Sequence, residues 1–100
     1  MTREFALYLT PDAKAQIAAI EKESSKKGLA KQLGKTLNHL SRNPFHPGLI
    51  SHPMPGYEKL YGAKVFSAYV QNNTPQAHRI LWTYGPGAQQ ITILAVIPHY

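Results

Sequence analysis

Apolar and polar positions alternate from the first residues onward. In EFALYLT, Phe5, Leu7 and Leu9 fall on one side, the two-residue period of a half-buried strand. Thr10-Pro11-Asp12 then reads as a helix start. It offers a hydroxyl cap, a proline where no N–H is needed, and an acid in the first turn. Ala13, Ile17 and Ile20 share one face of that helix. The pattern weakens at SSKKG, where Gly28 is placed to close it. A second helix is predicted from Leu29, Leu33, Leu37 and Leu40, which form a continuous apolar stripe. Lys27, Lys31 and Lys35 are offset from the stripe and read as its solvated opposite face. Asn43-Pro44 stops the helix.

FHPGLISHPMPGY, rich in proline and glycine, has no period. A connection that long in a small domain is where function is often carried. Three strands are predicted beyond it: KVFSAYV and HRILWTY alternate, and QITILAVI is nearly all apolar, as a central strand should be. GPGA between the last two is a hairpin turn, and no helix follows it to make a phosphate cradle. The order strand, helix, helix, strand, strand, strand predicts an α+β fold. A helical hairpin covers one face of a mainly antiparallel four-stranded sheet, burying both apolar stripes. Phe66 and Trp82 are expected in the core, and alternation turns Tyr69 away from Phe66. No repeat or low-complexity tract divides residues 1–100, so a single domain is expected.

Composition narrows the class. The chain has 100 residues and no cysteine, which removes disulfides and thiolate metal sites. No apolar run approaches the roughly 18 residues of a membrane span. The first residues lack the basic, apolar and small-residue segments of a signal peptide. A cytoplasmic protein with no membrane association is the expectation. The net charge is +6, and its distribution matters more than its size. Glu4, Asp12, Glu21, Glu23 and Glu58 are the only acids, so no carboxylate side chain follows Glu58, while Lys59, Lys64 and Arg79 do. A basic half attracts a polyanion, most often nucleic acid.

The candidate chemistry is that of an RNA phosphodiester. Metal-free cleavage needs a base for the 2′-hydroxyl, an acid for the leaving 5′-oxygen, and fixed positive charge on the phosphoryl oxygens. Histidine can serve as acid or base near neutral pH. Arginine keeps its charge and presents a fork that fits two phosphate oxygens. Residues of these types are present, His52 in the irregular loop, Arg79 in HRILWTY and His99 after the last strand among them, and residue type alone assigns none of them a role. His39, His46, His52, His78 and His99 show neither a paired helical spacing nor a nearby acid cluster. No metal or other cofactor is therefore expected.

The element order, the strand HRILW and the closing His99-Tyr100 resemble the RelE/ParE superfamily of toxin-antitoxin toxins. Within it they resemble the YoeB-like ribosome-dependent endoribonucleases. Those toxins likewise place arginine after histidine in the middle strand and end the last strand in His-Tyr. The resemblance implies that Arg79 binds phosphate, His99 is the general acid and Tyr100 helps hold the RNA. YoeB-like toxins carry a glutamate base in the loop before the second strand. Here the proline that follows it aligns so that His52 takes its place, while Glu58 would need a register shift. RelE-type relatives use lysines in the second strand, an area that Lys59 or Lys64 can occupy. The base is thus open among His52, Glu58 and a lysine. The resemblance further implies mRNA on the ribosome as substrate and a cognate acidic antitoxin as partner, in a homodimer or a hetero-oligomer. Two other readings share the fold: a ParE-like inhibitor of DNA gyrase, and a non-catalytic nucleic-acid-binding relative of the toxins.

Overall fold

A computed structural model describes residues 4–70 and 77–98. Strand β1 (Ala6–Leu9) leads into helix α1 (Pro11–Lys22), and helix α2 (Lys27–Arg42) follows a single 3₁₀ turn at Ser24–Lys26. A two-residue strand β2 (His52–Pro53) and a one-turn helix α3 (Glu58–Tyr61) come next. Strands β3 (Phe66–Tyr69), β4 (His78–Tyr84) and β5 (Gln90–Pro98) complete the order. The sheet runs β1-β5-β4-β3-β2, with β1 parallel to β5 and every other pair antiparallel. The α+β class and the helical hairpin on a mainly antiparallel sheet are therefore as expected.

Two details differ. The sheet has five strands rather than four, because His52 and Pro53 pair with Ser67 and Phe66 at its edge. Proline has no N–H for a second neighbour, so it tolerates an edge and ends the sheet there. Gly28 does not close the first helix. Glu23 does so, with an extended backbone, and Gly28 lies in the first turn of α2. No residue between Ile20 and Leu29 is apolar, so nothing would hold a longer α1 against the sheet.

The main core lies between the helices and one face of the sheet. Ala13 and Ile20 of α1 and Leu29, Leu33 and Leu40 of α2 meet Ala68, Val70, Ile80, Trp82, Ile91, Ile93 and Val96. Thr36 joins the buried stripe of α2 by donating its hydroxyl to the Gln32 carbonyl at 2.9 Å. Lys27, Lys31 and Lys35 are exposed. Trp82 is fully buried and Phe66 stacks on it, centroids 4.8 Å apart.

The other face carries a smaller cluster. Val65, Leu81, Leu94 and Ala95 are buried there beneath Met54, Tyr57, Tyr61 and Ile97. A bulge in β5 makes this arrangement. Leu81 pairs with Ala95 but Trp82 pairs with Ile93, so Leu94 is an extra residue. Odd positions Ile91 and Ile93 face the helices. Beyond the bulge, odd positions Ala95 and Ile97 face the second side.

The first helix stabilises the bulged strand. Strand β1 pairs only with Gln90 to Ile93, leaving the later edge of β5 without a strand beside it. Thr10 Oγ1 donates to the Leu94 carbonyl at 2.8 Å, and Gln16 Oε1 accepts from the Val96 N–H at 2.7 Å. Thr10 also caps α1, its Oγ1 accepting from the Ala13 N–H at 3.1 Å. These contacts satisfy backbone groups that would otherwise be left without partners.

Candidate active site

Arg79 lies opposite Tyr69 on β3 and opposite Ile97 on β5, and directly paired residues share a face of the sheet. That face is the one away from the helices. Ser67, two residues before Tyr69, pairs with His52 of β2. His52, Ser67, Tyr69, Arg79 and Ile97 therefore lie on one face of the sheet. Its neighbour is the segment from Met54 to Tyr61 that caps the smaller cluster.

The guanidinium of Arg79 is held there with few partners. Its Nη1 donates to the thioether of Met54 at 3.6 Å, a weak acceptor. Its Nε is buried and has no hydrogen-bond partner. Among the described residues the one ion pair is Arg42 with Glu4, and none of their carboxylates answers Arg79. Buried polar groups of this kind are rare in folded proteins, and they cost stability unless something completes them.

His52, on the far side of β3 from Arg79, is half-buried. Its Nδ1 lies 3.2 Å from the Ile50 carbonyl, and Tyr69 meets its ring edge-on with centroids 6.2 Å apart. Tyr69 is thus the ring neighbour of His52 and the strand partner of Arg79, joining the two. Ser67, fully buried, places Oγ 3.4 Å from Nε2 and 3.5 Å from Nδ1 of His52.

No protein-family model matches the chain, and no curated protein matches it in sequence. Solved structures do match it. A YoeB/ParE toxin from Agrobacterium tumefaciens agrees with a TM-score of 0.72 at 14% identity, covering 96% of this chain and 100% of that one. The YoeB dimer from Staphylococcus aureus agrees with a TM-score of 0.64 at 16% identity, covering 97% of this chain and 99% of that one. The chain has the fold of the YoeB/ParE toxins.

Within the YoeB/ParE fold, the sheet brings two of the residues singled out from sequence, His52 and Arg79, to one surface through Tyr69. Glu58 opens α3, half-buried, and forms no ion pair among the described residues. Lys59 and Lys64 are exposed. The Lys64 carbonyl accepts from Thr83 Oγ1 at 2.6 Å, which places its backbone toward the opposite end of β4 from Arg79. His99 and Tyr100 lie outside the described residues, directly after Pro98 at the end of β5. No three metal-ligating side chains gather among the described residues, and no described helix is long and apolar enough to cross a membrane.

Sequence reasoning did not place Ser67, Met54 and Tyr69 at this surface. Alternation in KVFSAYV does put Ser67 and Tyr69 on one face. Only the pairing of β3 with both β2 and β4 shows which loop and which arginine that face meets. Met54 follows a histidine-proline pair in an irregular segment, and no local pattern marks it.

Proposed function

We propose that the chain is the toxin of a toxin-antitoxin pair, acting as a metal-independent endoribonuclease on mRNA. The observation that carries this reading is the Arg79 guanidinium. It is held on the same face of the sheet as a half-buried histidine, with Nε buried and unpartnered and, among the described residues, no carboxylate on it. Such a group is prepared for an anion with several acceptor oxygens, which a phosphodiester supplies.

In the proposed step, His52 takes the proton of the 2′-hydroxyl and the oxygen attacks phosphorus. The bond from phosphorus to the 5′-oxygen breaks, and His99 gives that oxygen a proton. Arg79 neutralises the charge that develops on the phosphoryl oxygens, and Tyr100 helps hold the RNA. The products are a 2′,3′-cyclic phosphate and a 5′-hydroxyl. Lys59 and Lys64, both exposed, contact outer phosphates, and Glu58 is the base if His52 is not. The likeness to the YoeB/ParE toxins supports the further reading that the ribosome is the setting, an acidic antitoxin the partner, and that the chain self-associates. One of those neighbours is itself a dimer.

The test uses untagged protein with end-labelled mRNA, free and on translating ribosomes, in EDTA. The expected result is cleavage that leaves a cyclic phosphate and is lost in Arg79→Ala and His99→Ala. A 3′-hydroxyl product, or no cleavage by folded protein in either setting, overturns the reading. Inhibition of DNA gyrase retained in His99→Ala would assign the ParE-like role instead. Salt-dependent RNA binding without cleavage would assign the non-catalytic one.

A further inference from the structure

Ile50, two residues before His52, has φ 49° and ψ 47°. This left-handed region is sterically costly for a β-branched side chain, and glycine or asparagine is its ordinary occupant. The chain holds it there from both sides. Leu49 before it is buried, and the Ile50 N–H donates to the Pro47 carbonyl at 3.3 Å. After it, the Ser51 hydroxyl donates to the Pro44 carbonyl at 2.6 Å, and His52 is fixed by pairing with Ser67. The result is an Ile50 carbonyl 3.2 Å from His52 Nδ1. Backbone strain of this kind persists only where the surroundings over-determine it, and it concentrates at functional sites.

We propose that Ile50 is a positioning residue: its left-handed backbone supplies the carbonyl that keeps the His52 proton on Nδ1 and leaves the Nε2 lone pair for proton transfer. A carbonyl only accepts, so the nitrogen facing it must carry the hydrogen. Among the described residues, the other neighbours of the ring do not make this choice. Ser67 Oγ is almost equally far from both nitrogens, 3.4 and 3.5 Å, and at that length selects neither. Tyr69 meets the ring edge-on and sets its plane. The proposal rests on His52 as the base and adds which nitrogen performs that role.

His46 in the same loop gives an internal contrast. Its Nδ1 accepts from the Gly48 N–H at 3.0 Å, so its proton sits on Nε2. Backbone groups of one loop thus hold two histidines in opposite tautomers.

The experiment is long-range proton–nitrogen correlation NMR on the full chain labelled at histidine nitrogens. It is run near pH ~8.5, about two units above the ordinary imidazole value. The expected spectrum shows His52 with a protonated Nδ1 and a bare Nε2, and His46 with the reverse. Ile50→Gly, free to hold the same φ, keeps both patterns. Ile50→Pro, confined to negative φ, averages the His52 pattern and leaves that of His46, which also reports that the loop remains folded. A wild-type His52 protonated on Nε2 or averaged between nitrogens overturns the proposal, as does an Ile50→Pro protein that keeps the Nδ1–H pattern. If Ile50→Pro does not fold, the wild-type spectrum still decides.

A cleavage assay runs beside it. Ile50→Pro is expected to slow single-turnover cleavage by at least about tenfold while RNA affinity stays within about twofold, since a positioned base contributes roughly 10²–10⁴. Unchanged cleavage in that variant overturns the positioning role. No cleavage by wild type, with His52 in the expected tautomer, overturns the nuclease reading and not the tautomer assignment.

Discussion

Replacing Arg79 with methionine should make the protein more stable and less able to bind phosphate. The arginine is half-buried, its Nε has no partner, and among the described residues its Nη1 reaches the Met54 thioether alone, at 3.6 Å. An unsatisfied buried donor costs about 1–3 kcal/mol, and more when it belongs to a charged group. Methionine carries no donor and can pack beside Met54 and Ile97. Lost contacts of the arginine stem offset part of the gain, so a net increase of about 1 kcal/mol is expected for Arg79→Met. That corresponds to a rise in melting temperature of about 4–8 °C in a domain of this size.

Phosphate provides the second half of the test. A ligand that binds only the folded state stabilises it by about 2.7 kcal/mol at one hundred times its dissociation constant. Wild type should therefore gain stability in inorganic phosphate beyond any gain in an ionic-strength-matched chloride buffer, and Arg79→Met should not. The assay is urea unfolding followed by Trp82 fluorescence, with and without phosphate. A variant destabilised by about 1 kcal/mol or more would refute the reasoning. So would phosphate stabilising both proteins equally, since that is the general effect of an excluded salt.

Two further outcomes follow from the fold. Thr10→Val removes both the cap of α1 and the hydrogen bond to the Leu94 carbonyl. A cap is worth about 1 kcal/mol and a part-buried orphan carbonyl about as much or more, so urea unfolding should show a loss of about 2–3 kcal/mol. Thr10→Ser should retain most of that stability. Tyr84, in the aromatic group with Phe5, Phe66 and Trp82, is 47% exposed, and the partial burial of its ring raises its phenol pKa above 10.0. The folded state therefore favours the neutral phenol. That contribution is fully present below pH 10.0 and is lost as pH rises through the folded value. Alkaline unfolding curves of wild type and Tyr84→Phe should converge below that range, with a smaller fall above it in the variant.

Local signals described much of this molecule. Thr10-Pro11-Asp12 contains everything a helix start needs, and its cap forms as the residue types require. HRILWTY is β4 from end to end and forms the middle of the sheet, while QITILAVI, expected there, lies within β5, one place nearer the edge between β1 and β4. These features depend on spacings of two and three to four residues, which are printed in the chain itself. The same spacings assigned α2 its buried stripe and left its lysines in solvent.

What the sequence alone did not contain was the meeting of distant parts. Alternation assumes one residue facing one residue. The extra Leu94 breaks that rule, so Ile91 and Ile97 face opposite sides of the sheet although their spacing says otherwise. His52-Pro53 is too short to show a period and becomes a strand only because β3 offers an unpaired edge. Ile50 carries none of the glycine or asparagine that marks a left-handed turn, because the contacts on either side of it impose the conformation. Sequence by itself determined the two long helices apart from the end of the first, the long strands, and the basic half with its arginine and histidines. Tertiary structure decided that His52 and Arg79 share one surface through Tyr69, because strand pairing and a bulge couple residues whose separation along the chain carries no local signal.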